Sequence, residues 1–216
     1  MRFLKRLSKP QILIQKEFIW RDSFLNPDIK RPDNNKYGHP EIKTELHRIS
    51  FNKCFYSEVK FVSEKEGQID HYIEVSEDRS LAFDWENLFL SHKDCNMGKP
   101  NNLIIPVINT LNPFIHSDEE IENNLTFEDE CITAKNNSIL GLNTIKKYKL
   151  NSPLFDILRS KKLREFEQLL IHILTKTTAE GGRNLNDIEK EMLFRFAQKD
   201  HSFSLMFKIL LQKHFP

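Results

Sequence analysis

The chain has few cysteines and no long apolar run. Its 216 residues include three cysteines, too few for the disulfide framework of a small secreted protein, so a reducing environment is expected. No apolar stretch approaches the ~20 residues that a membrane-spanning helix needs. The apolar runs among the first basic residues are also too short for a signal-peptide core. These absences argue against secreted and membrane-spanning classes and predict a cytoplasmic protein.

The chain also lacks a bulk excess of either charge. Lys and Arg together number 32 and Asp and Glu 31, so the formal net charge is +1. Nucleic-acid-binding domains usually carry a clear basic excess or stripe. Residues 1–16 contain five basic residues and no acid, which fits a nucleic-acid or partner contact or an ordinary solvated face. Basic charge is therefore either clustered locally, or another subunit delivers the substrate.

The remaining composition describes a globular chain with an aromatic-rich core. Hydrophobic residues make up 39% of the chain, and 17 residues are Phe. Residues 1–20 have the pattern of an amphipathic helix or an extended arm, interrupted at Pro10. Prolines and a polar run predict a loop over 21–40, and apolar residues at helical spacing predict a short helix over 41–50.

Strand and helix patterns both occur further along the chain, which predicts a mixed α+β fold. The expected elements are strands within 58–76 around a turn at 63–68, a helix around Asn96, extended chain over 103–118, a hairpin within 125–133 and helices from Thr144. Two start signals mark those helices, Ser152 before Pro153 and Asn186 three residues before Glu189.

The most informative stretch covers residues 54–102. Side chains able to cut a phosphodiester stand there in a fixed order: Asp70-His71, Asn87, Asn96 and Lys99. Cutting needs a metal that polarises the phosphate and a base that activates water. Asp70 and Asn96 offer the oxygen ligands that Mg²⁺ prefers, and His71 titrates near neutral pH. Neighbours along a strand point to opposite faces, so we expect a strand end or a bend at Asp70-His71.

This order resembles the motif of HNH endonucleases, also called ββα-metal nucleases. An Asp-His pair alone is common, so the interpretation depends on the conjunction of these residues within about thirty positions. The resemblance implies that His71 is the general base and that Asp70 and Asn96 hold Mg²⁺ or Mn²⁺. It also implies that Asn87 pins the loop bearing His71 and that Lys99 lies near the phosphate.

The same resemblance predicts the domain organisation. It implies an α+β chain with an HNH nuclease core of the ββα-metal type over residues 54–118. An N-terminal arm, loop and short helix would precede it over 1–53. A small hairpin and a C-terminal helical region would follow over 119–216.

Many HNH proteins of this type frame the site with two Cys-x-x-Cys pairs that bind structural zinc. Here the first pair runs from Cys54 to Ser57 and the second from His92 to Cys95. His is a good zinc ligand, and a neutral Ser hydroxyl is a poor one. The expected zinc ligands are therefore Cys54, His92 and Cys95, with a fourth from elsewhere or from water. Alternatively, zinc is lost and the cysteines pack as small buried residues.

Flanking sequence narrows the resemblance. It is carried by Lys53-Cys54-Phe55-Tyr56-Ser57-Glu58, by Gln68-Ile69-Asp70-His71-Tyr72 and by Trp85-Glu86-Asn87-Leu88-Phe89-Leu90-Ser91. Over about residues 37–165 the chain resembles the HNH effectors of Septu anti-phage defence (the PtuB family), which also occur in some retron systems. The resemblance implies an ABC/SMC-like ATPase partner (PtuA type) that holds and gates the nuclease. In retron versions it implies a reverse transcriptase with its RNA–DNA product.

The sequence thus predicts a metal-dependent HNH endonuclease that hydrolyses DNA as the effector of an anti-phage defence system. Two alternatives stay open. The same chemistry attacks the phosphodiester of RNA, such as tRNA, equally well. A zinc-ribbon-like binding or adaptor module that has lost catalysis would keep much of the same sequence.

Overall fold

A computed structural model of the chain describes residues 1–215, and both helices and strands are present, as predicted. The elements are α1 (Gln11–Leu25), α2 (Asn34–Tyr37), α3 (Pro40–Ser50), β1 (Gln68–His71), β2 (Leu88–Ser91), α4 (Lys93–Asn96), α5 (Asp118–Asn124), β3 (Leu125–Glu128), β4 (Cys131–Ala134), α6 (Ile139–Tyr148), α7 (Pro153–Ala179), α8 (Asp187–Phe194) and α9 (Ser204–His214). Short 3₁₀ turns lie at Arg79–Leu81, Trp85–Asn87, Val107–Asn109, Lys135–Asn137 and Arg195–Ala197.

Two antiparallel hairpins make up the sheet content of the described residues. In the first, β1 pairs with β2 so that Asp70 stands opposite Phe89 and His71 opposite Leu88. The α4 helix begins two residues after β2 ends. The order strand, strand, helix that the HNH resemblance implies is therefore present. The second hairpin, β3–β4, confirms the hairpin predicted within 125–133.

The basic N-terminal arm is part of the folded core. Arg2 is 7% exposed and donates two hydrogen bonds to the carboxylate of Asp118. Arg6 donates to the backbone carbonyls of Leu88 and Glu86 at the start of β2, and burial lowers its pKa to about 10. For these two arginines, neither a solvated face nor a nucleic-acid contact is the outcome. Both guanidinium groups form hydrogen bonds within the protein instead.

One hydrophobic core joins the arm, the segment of residues 54–102 and the C-terminal helices. Trp85, Phe89 and Leu90 of that segment pack in the same cluster as Leu4 and Leu205. A second cluster joins the far half of α7 to α8 and α9, with Phe166, Leu193 and Phe207 among its buried members. The first core positions the site, because β1, β2 and α4 all lie against it.

Several predicted boundaries were wrong. The loop predicted over 21–40 contains the last turn of α1 and all of α2, and the strands predicted within 58–76 shrink to β1. Residues 53 and 60 form only an isolated bridge, and residues 103–118 form turns rather than extended chain. The short β1 follows from its neighbours, because only β2 is available to satisfy its backbone.

The predicted helix starts agree with the structure better than the predicted loop and strand boundaries do. Asn186 and Glu189 form a capping box at α8, and Pro153 opens α7 after Ser152, although the Ser152 side chain makes no capping hydrogen bond. Pro40 opens α3, the short helix predicted over 41–50. Within residues 1–215, no helix combines the length and the apolar character that crossing a bilayer requires.

Candidate active site

Asp70 and His71 lie at the end of β1, as the opposing directions of strand neighbours led us to expect. The carboxylate of Asp70 is buried and accepts two hydrogen bonds. One comes from the Tyr56 hydroxyl at 2.9 Å and the other from the Lys99 ammonium at 2.5 Å. Asp70, His71, Asn96 and Lys99 line one cavity of about 600 Å³. The structure therefore brings four of the five predicted catalytic and metal-binding side chains to one place.

The His71 imidazole is oriented by a backbone carbonyl. Its Nε2 lies 2.9 Å from the carbonyl oxygen of Ala82, which can only accept, so Nε2 carries the proton. Nδ1 then holds the free lone pair, and it is not among the buried unpartnered atoms of residues 1–215. Burial lowers the pKa of His71. The Tyr37 ring packs edge-on at 4.9 Å between centroids. His71 is thus a neutral base with one nitrogen available.

Asn87, the fifth predicted residue, lies outside the cavity and beneath the loop that follows His71. Its Oδ1 accepts from the Ile73 amide at 2.7 Å, and its Nδ2 donates to the carbonyls of Ile73 and Leu81. Two of these bonds hold Ile73, two positions after His71. The third holds the carbonyl of Leu81, and the carbonyl of the next residue, Ala82, orients the imidazole. These contacts are those that the predicted loop-pinning role requires.

Asn96 is the last residue of α4 and lines the same cavity as His71. Its Nδ2 donates to Gln68 Oε1 at 3.1 Å, which leaves its Oδ1 to face a ligand. Lys99 follows after a turn at Gly98, whose φ is +64°. The Lys99 ammonium contacts both Asp70 and the carbonyl of His71. It therefore neutralises the buried carboxylate in this structure.

The residues at the cavity fit a hard divalent cation. Mg²⁺ binds proteins through one or two carboxylates and keeps several waters. Asp70 supplies one carboxylate, Asn96 supplies an amide oxygen, and the cavity has room for water. The Asp70 carboxylate already binds one cationic group in this structure, the ammonium of Lys99. The metal identity and the two ligands stay predictions.

Two of the three predicted zinc ligands come together. The sulfurs of Cys54 and Cys95 lie 3.9 Å apart in the core, close to the ~3.8 Å that two thiolates reach on tetrahedral zinc. Burial alone would raise the pKa of Cys54, but hydrogen bonds from Cys95 and Ser57 bring it to about 6. Burial and the neighbouring Cys54 raise the pKa of Cys95 well above its usual range.

His92 does not complete that set. Its Nδ1 accepts the Asp94 amide at 3.2 Å and so caps α4. No group of three or more His, Cys, Asp or Glu side chains within residues 1–215 is arranged to hold a metal. Structural zinc at Cys54, His92 and Cys95 stays a prediction, which the packing of His92 between Phe61 and Phe155 does not favour.

Sequence reasoning missed three supporting side chains. Tyr56 was part of the motif but had no assigned role, although its hydroxyl bonds Asp70. Tyr37 lay in the region predicted as loop. Lys147 of α6 is fully buried and donates to the carbonyls of Pro100 and Ile105 and to the Asn102 side chain. No local pattern marks Tyr37 or Lys147, because each reaches the site from a distant part of the chain.

Comparisons with known proteins agree with this geometry. Residues 57–102 match the family described as HNH endonuclease. A relative named Septu protein PtuB, from Bacillus thuringiensis, is 33% identical over 109 residues, which are 49% of this chain and 40% of that protein. The chain thus aligns with less than half of that relative's length. On these matches, residues 57–102, which hold Asp70, His71, Asn87, Asn96 and Lys99, are similar to HNH endonucleases, and the chain that carries them is similar to Septu PtuB.

Proposed function

We propose that this protein is a metal-dependent endonuclease that hydrolyses DNA phosphodiester bonds in anti-phage defence. The observation that carries the proposal is the convergence of Asp70, His71, Asn96 and Lys99 on one cavity inside the HNH segment. Similarity to Septu PtuB supports the defence role. The adaptor alternative does not explain why a buried carboxylate, a neutral histidine and a lysine share that cavity.

The contacts of each residue that lines the cavity indicate its role in phosphodiester hydrolysis. His71 takes a proton from the attacking water at Nδ1, because the Ala82 carbonyl holds the proton on Nε2. Asp70 and Asn96 would hold the divalent ion. When bound, that ion supplies Lewis-acid polarisation of the phosphate. Lys99 would then leave Asp70 and place its charge beside the phosphate.

Asn87 does not contact the cavity. It keeps the chain on both sides of the imidazole in place, through Ile73 and Leu81. Tyr56 keeps Asp70 oriented. Both act through another residue, so they are positioning residues, and their loss should reduce rather than abolish cleavage.

We further propose an ATPase partner of the ABC/SMC-like type that gates the nuclease. The resemblance to Septu effectors supports it, and a net charge of +1 fits a nuclease that receives its substrate with help. A reverse-transcriptase partner stays an expectation of the retron resemblance alone. Co-expression with the candidate ATPase and purification through a tag on the ATPase would test the assembly; failure to co-purify would contradict it.

The activity test compares the unmodified chain with His71→Ala on plasmid DNA and on total RNA. Each substrate is incubated with Mg²⁺, with Mn²⁺ and with EDTA, with and without the ATPase. His172→Ala is the matched control, because His172 is exposed on α7 and far from the site in sequence. Metal-dependent nicking or cutting of plasmid that His71→Ala loses and His172→Ala keeps is expected.

Other outcomes discriminate among the alternatives. RNA loss that needs His71, with plasmid intact, would keep the site and change the substrate. Equal cleavage by the unmodified chain and His71→Ala would remove His71 from the mechanism. No cleavage of either substrate under any condition, by a folded chain, would favour the adaptor alternative.

A further inference from the structure

The catalytic cavity continues into a second cavity along β1. The first has a volume of about 600 Å³ and the second about 460 Å³, and Asn34, Tyr37, Ile69 and Asn96 line both. One wall is the HNH segment. The other wall is residues 31–43, which precede the matched segment in sequence. We call the two cavities together the β1 groove.

The groove has a direction given by the strand. The first cavity reaches His71 and Val75 at the end of β1, and the second reaches Gly67 and Gln68 at its beginning. A strand of four residues spans about 13 Å, which exceeds the axial rise of about 3.4 Å per nucleotide on each strand of duplex DNA. The site therefore has room for chain beyond the cleaved bond, on the side toward Gln68.

One cation without a partner lines each half. Arg31 lines the cavity at the His71 end, and Lys43 lines the cavity at the Gln68 end. Neither side chain makes a hydrogen bond or an ion pair with any of residues 1–215. Most other cations near the site are committed: Lys99 pairs with Asp70, and Lys147 bonds three oxygens. Arg31 and Lys43 are therefore free to bind an external anion.

The acids in the lining do not cancel this charge. Asp70 is paired with Lys99, and Glu74 lies 3.9 Å from the Lys147 ammonium. Between the two free cations the wall carries the exposed side-chain amides of Asn34 and Asn35. Neutral amides and isolated cations along a groove are the groups that contact sugars and phosphates without reading sequence.

We propose that the β1 groove binds one polynucleotide strand, with Arg31 and Lys43 holding phosphates on opposite sides of the cleaved bond. This proposal rests on the proposed nuclease function and deepens it. The wall that residues 31–43 add to the HNH segment determines the path of the substrate strand. Because the contacts are to the backbone, they are independent of base sequence.

Binding is measured by fluorescence anisotropy in a His71→Ala background, so that the strand is not cut. The probe is a fluorescein-labelled DNA strand, titrated at KCl concentrations from about 50 to 200 mM, where phosphate contacts dominate the salt dependence. Arg31→Gln and Lys43→Gln are compared singly and together. Arg164→Gln and Lys190→Gln are matched controls, since both residues are exposed on α7 and α8 and their side chains make no hydrogen bond or ion pair within residues 1–215.

Each groove substitution should weaken binding at every salt concentration. Each should also reduce the slope of log K against log salt by about 0.7, and the double variant by about 1.4. The control variants should keep both the affinity and the slope. Affinity and slope unchanged in Arg31→Gln and Lys43→Gln would overturn the proposal, as would equal losses in the controls.

These experiments separate the outcome for the groove proposal from the outcome for the nuclease proposal. If the chain cuts DNA through His71 but the groove variants bind and cut normally, the groove proposal is wrong and the nuclease proposal holds. If the groove variants lose binding selectively while no metal supports cleavage, the groove holds and the nuclease proposal is wrong. Absence of binding to the DNA strand at the lowest salt would overturn the groove.

Discussion

Two stacked tyrosines, Tyr56 and Tyr148, differ in what their hydroxyls contact. The Tyr56 and Tyr148 rings lie 3.7 Å apart, and both are buried. The Tyr56 hydroxyl donates to the Asp70 carboxylate, and burial together with Asp70 raises the pKa of Tyr56, so the phenol stays protonated. Within residues 1–215, the hydrogen-bond partner of the Tyr148 hydroxyl is the neutral hydroxyl of Thr110.

Tyr56→Phe should therefore cost more stability than Tyr148→Phe. A hydrogen bond to a charged group contributes about 1.5–3 kcal/mol, and a neutral one about 0.5–1.5 kcal/mol. Urea unfolding of the two variants measures the difference directly, and Tyr148→Phe serves as the control for lost ring polarity. Equal losses would mean that the Asp70 contact has no special weight.

Asn87→Ala tests a positioning role. It removes three hydrogen bonds around the His71 loop but no atom of the cavity. Cleavage should fall, by up to about 100-fold if the imidazole shifts by an ångström. The affinity for a DNA strand, measured in the His71→Ala background, should stay unchanged. Loss of binding together with cleavage would instead indicate a collapsed site.

At the scale of elements, α6 holds the loop that carries Lys99. Lys147 is fully buried, and its ammonium bonds the carbonyls of Pro100 and Ile105 and the side chain of Asn102. Burial lowers the pKa of Lys147. The charge is kept in the core because three oxygens replace its water.

Lys147→Met should destabilise the protein and loosen that loop. Leaving buried carbonyls unpaired costs about 1–3 kcal/mol, and hydrogen exchange at residues 100–105 should become faster. Lys146→Met is the matched control, because Lys146 is the exposed neighbour on the same helix. Exchange in the loop that is no faster than in the control would show that α6 does not hold it.

The elements also show how far the sequence could be interpreted. The hairpin within 125–133, the start of α7 at Pro153 and the capping box of α8 follow from local patterns, and the structure confirms them. The chemistry at Asp70 and His71 was visible because the motif is local. The roles of Tyr37 and Lys147 could not be predicted from local patterns, since each reaches the site through tertiary packing. Arg2 and Arg6 were misinterpreted for the same reason, because a basic run does not reveal which carboxylate or carbonyl the fold will place beside it.

At the scale of the whole molecule, Asp118 joins the N-terminal arm to α5 and Lys199. Burial alone would raise the pKa of Asp118, but hydrogen bonds from Arg2 and from the Phe3 amide bring it to about 2. The unfolded chain, with a pKa of about 3.9, takes up a proton more readily than the folded chain. Acid therefore favours unfolding through this group.

The stabilisation from Asp118 should be complete above about pH 4 and be lost as the pH falls toward 2. Asp118→Asn should be less stable than the unmodified chain at neutral pH, and its stability should fall less steeply between those values. Calorimetric unfolding across that range is the measurement. Glu119→Asn is the control, because Glu119 is exposed and lacks a partner within residues 1–215. Parallel curves for Asp118→Asn and the unmodified chain would contradict the expectation.

The ring of Tyr37 and the ammonium of Lys147 come from outside residues 57–102, one from each side of that segment. A graft of the segment alone into another protein would transfer Asp70, His71, Asn96 and Lys99. It would leave behind the ring beside the imidazole and the anchor of the 100–105 loop. Recombination between proteins that share this segment therefore has to exchange α2 and α6 together with the motif, or rebuild equivalent supports in the recipient.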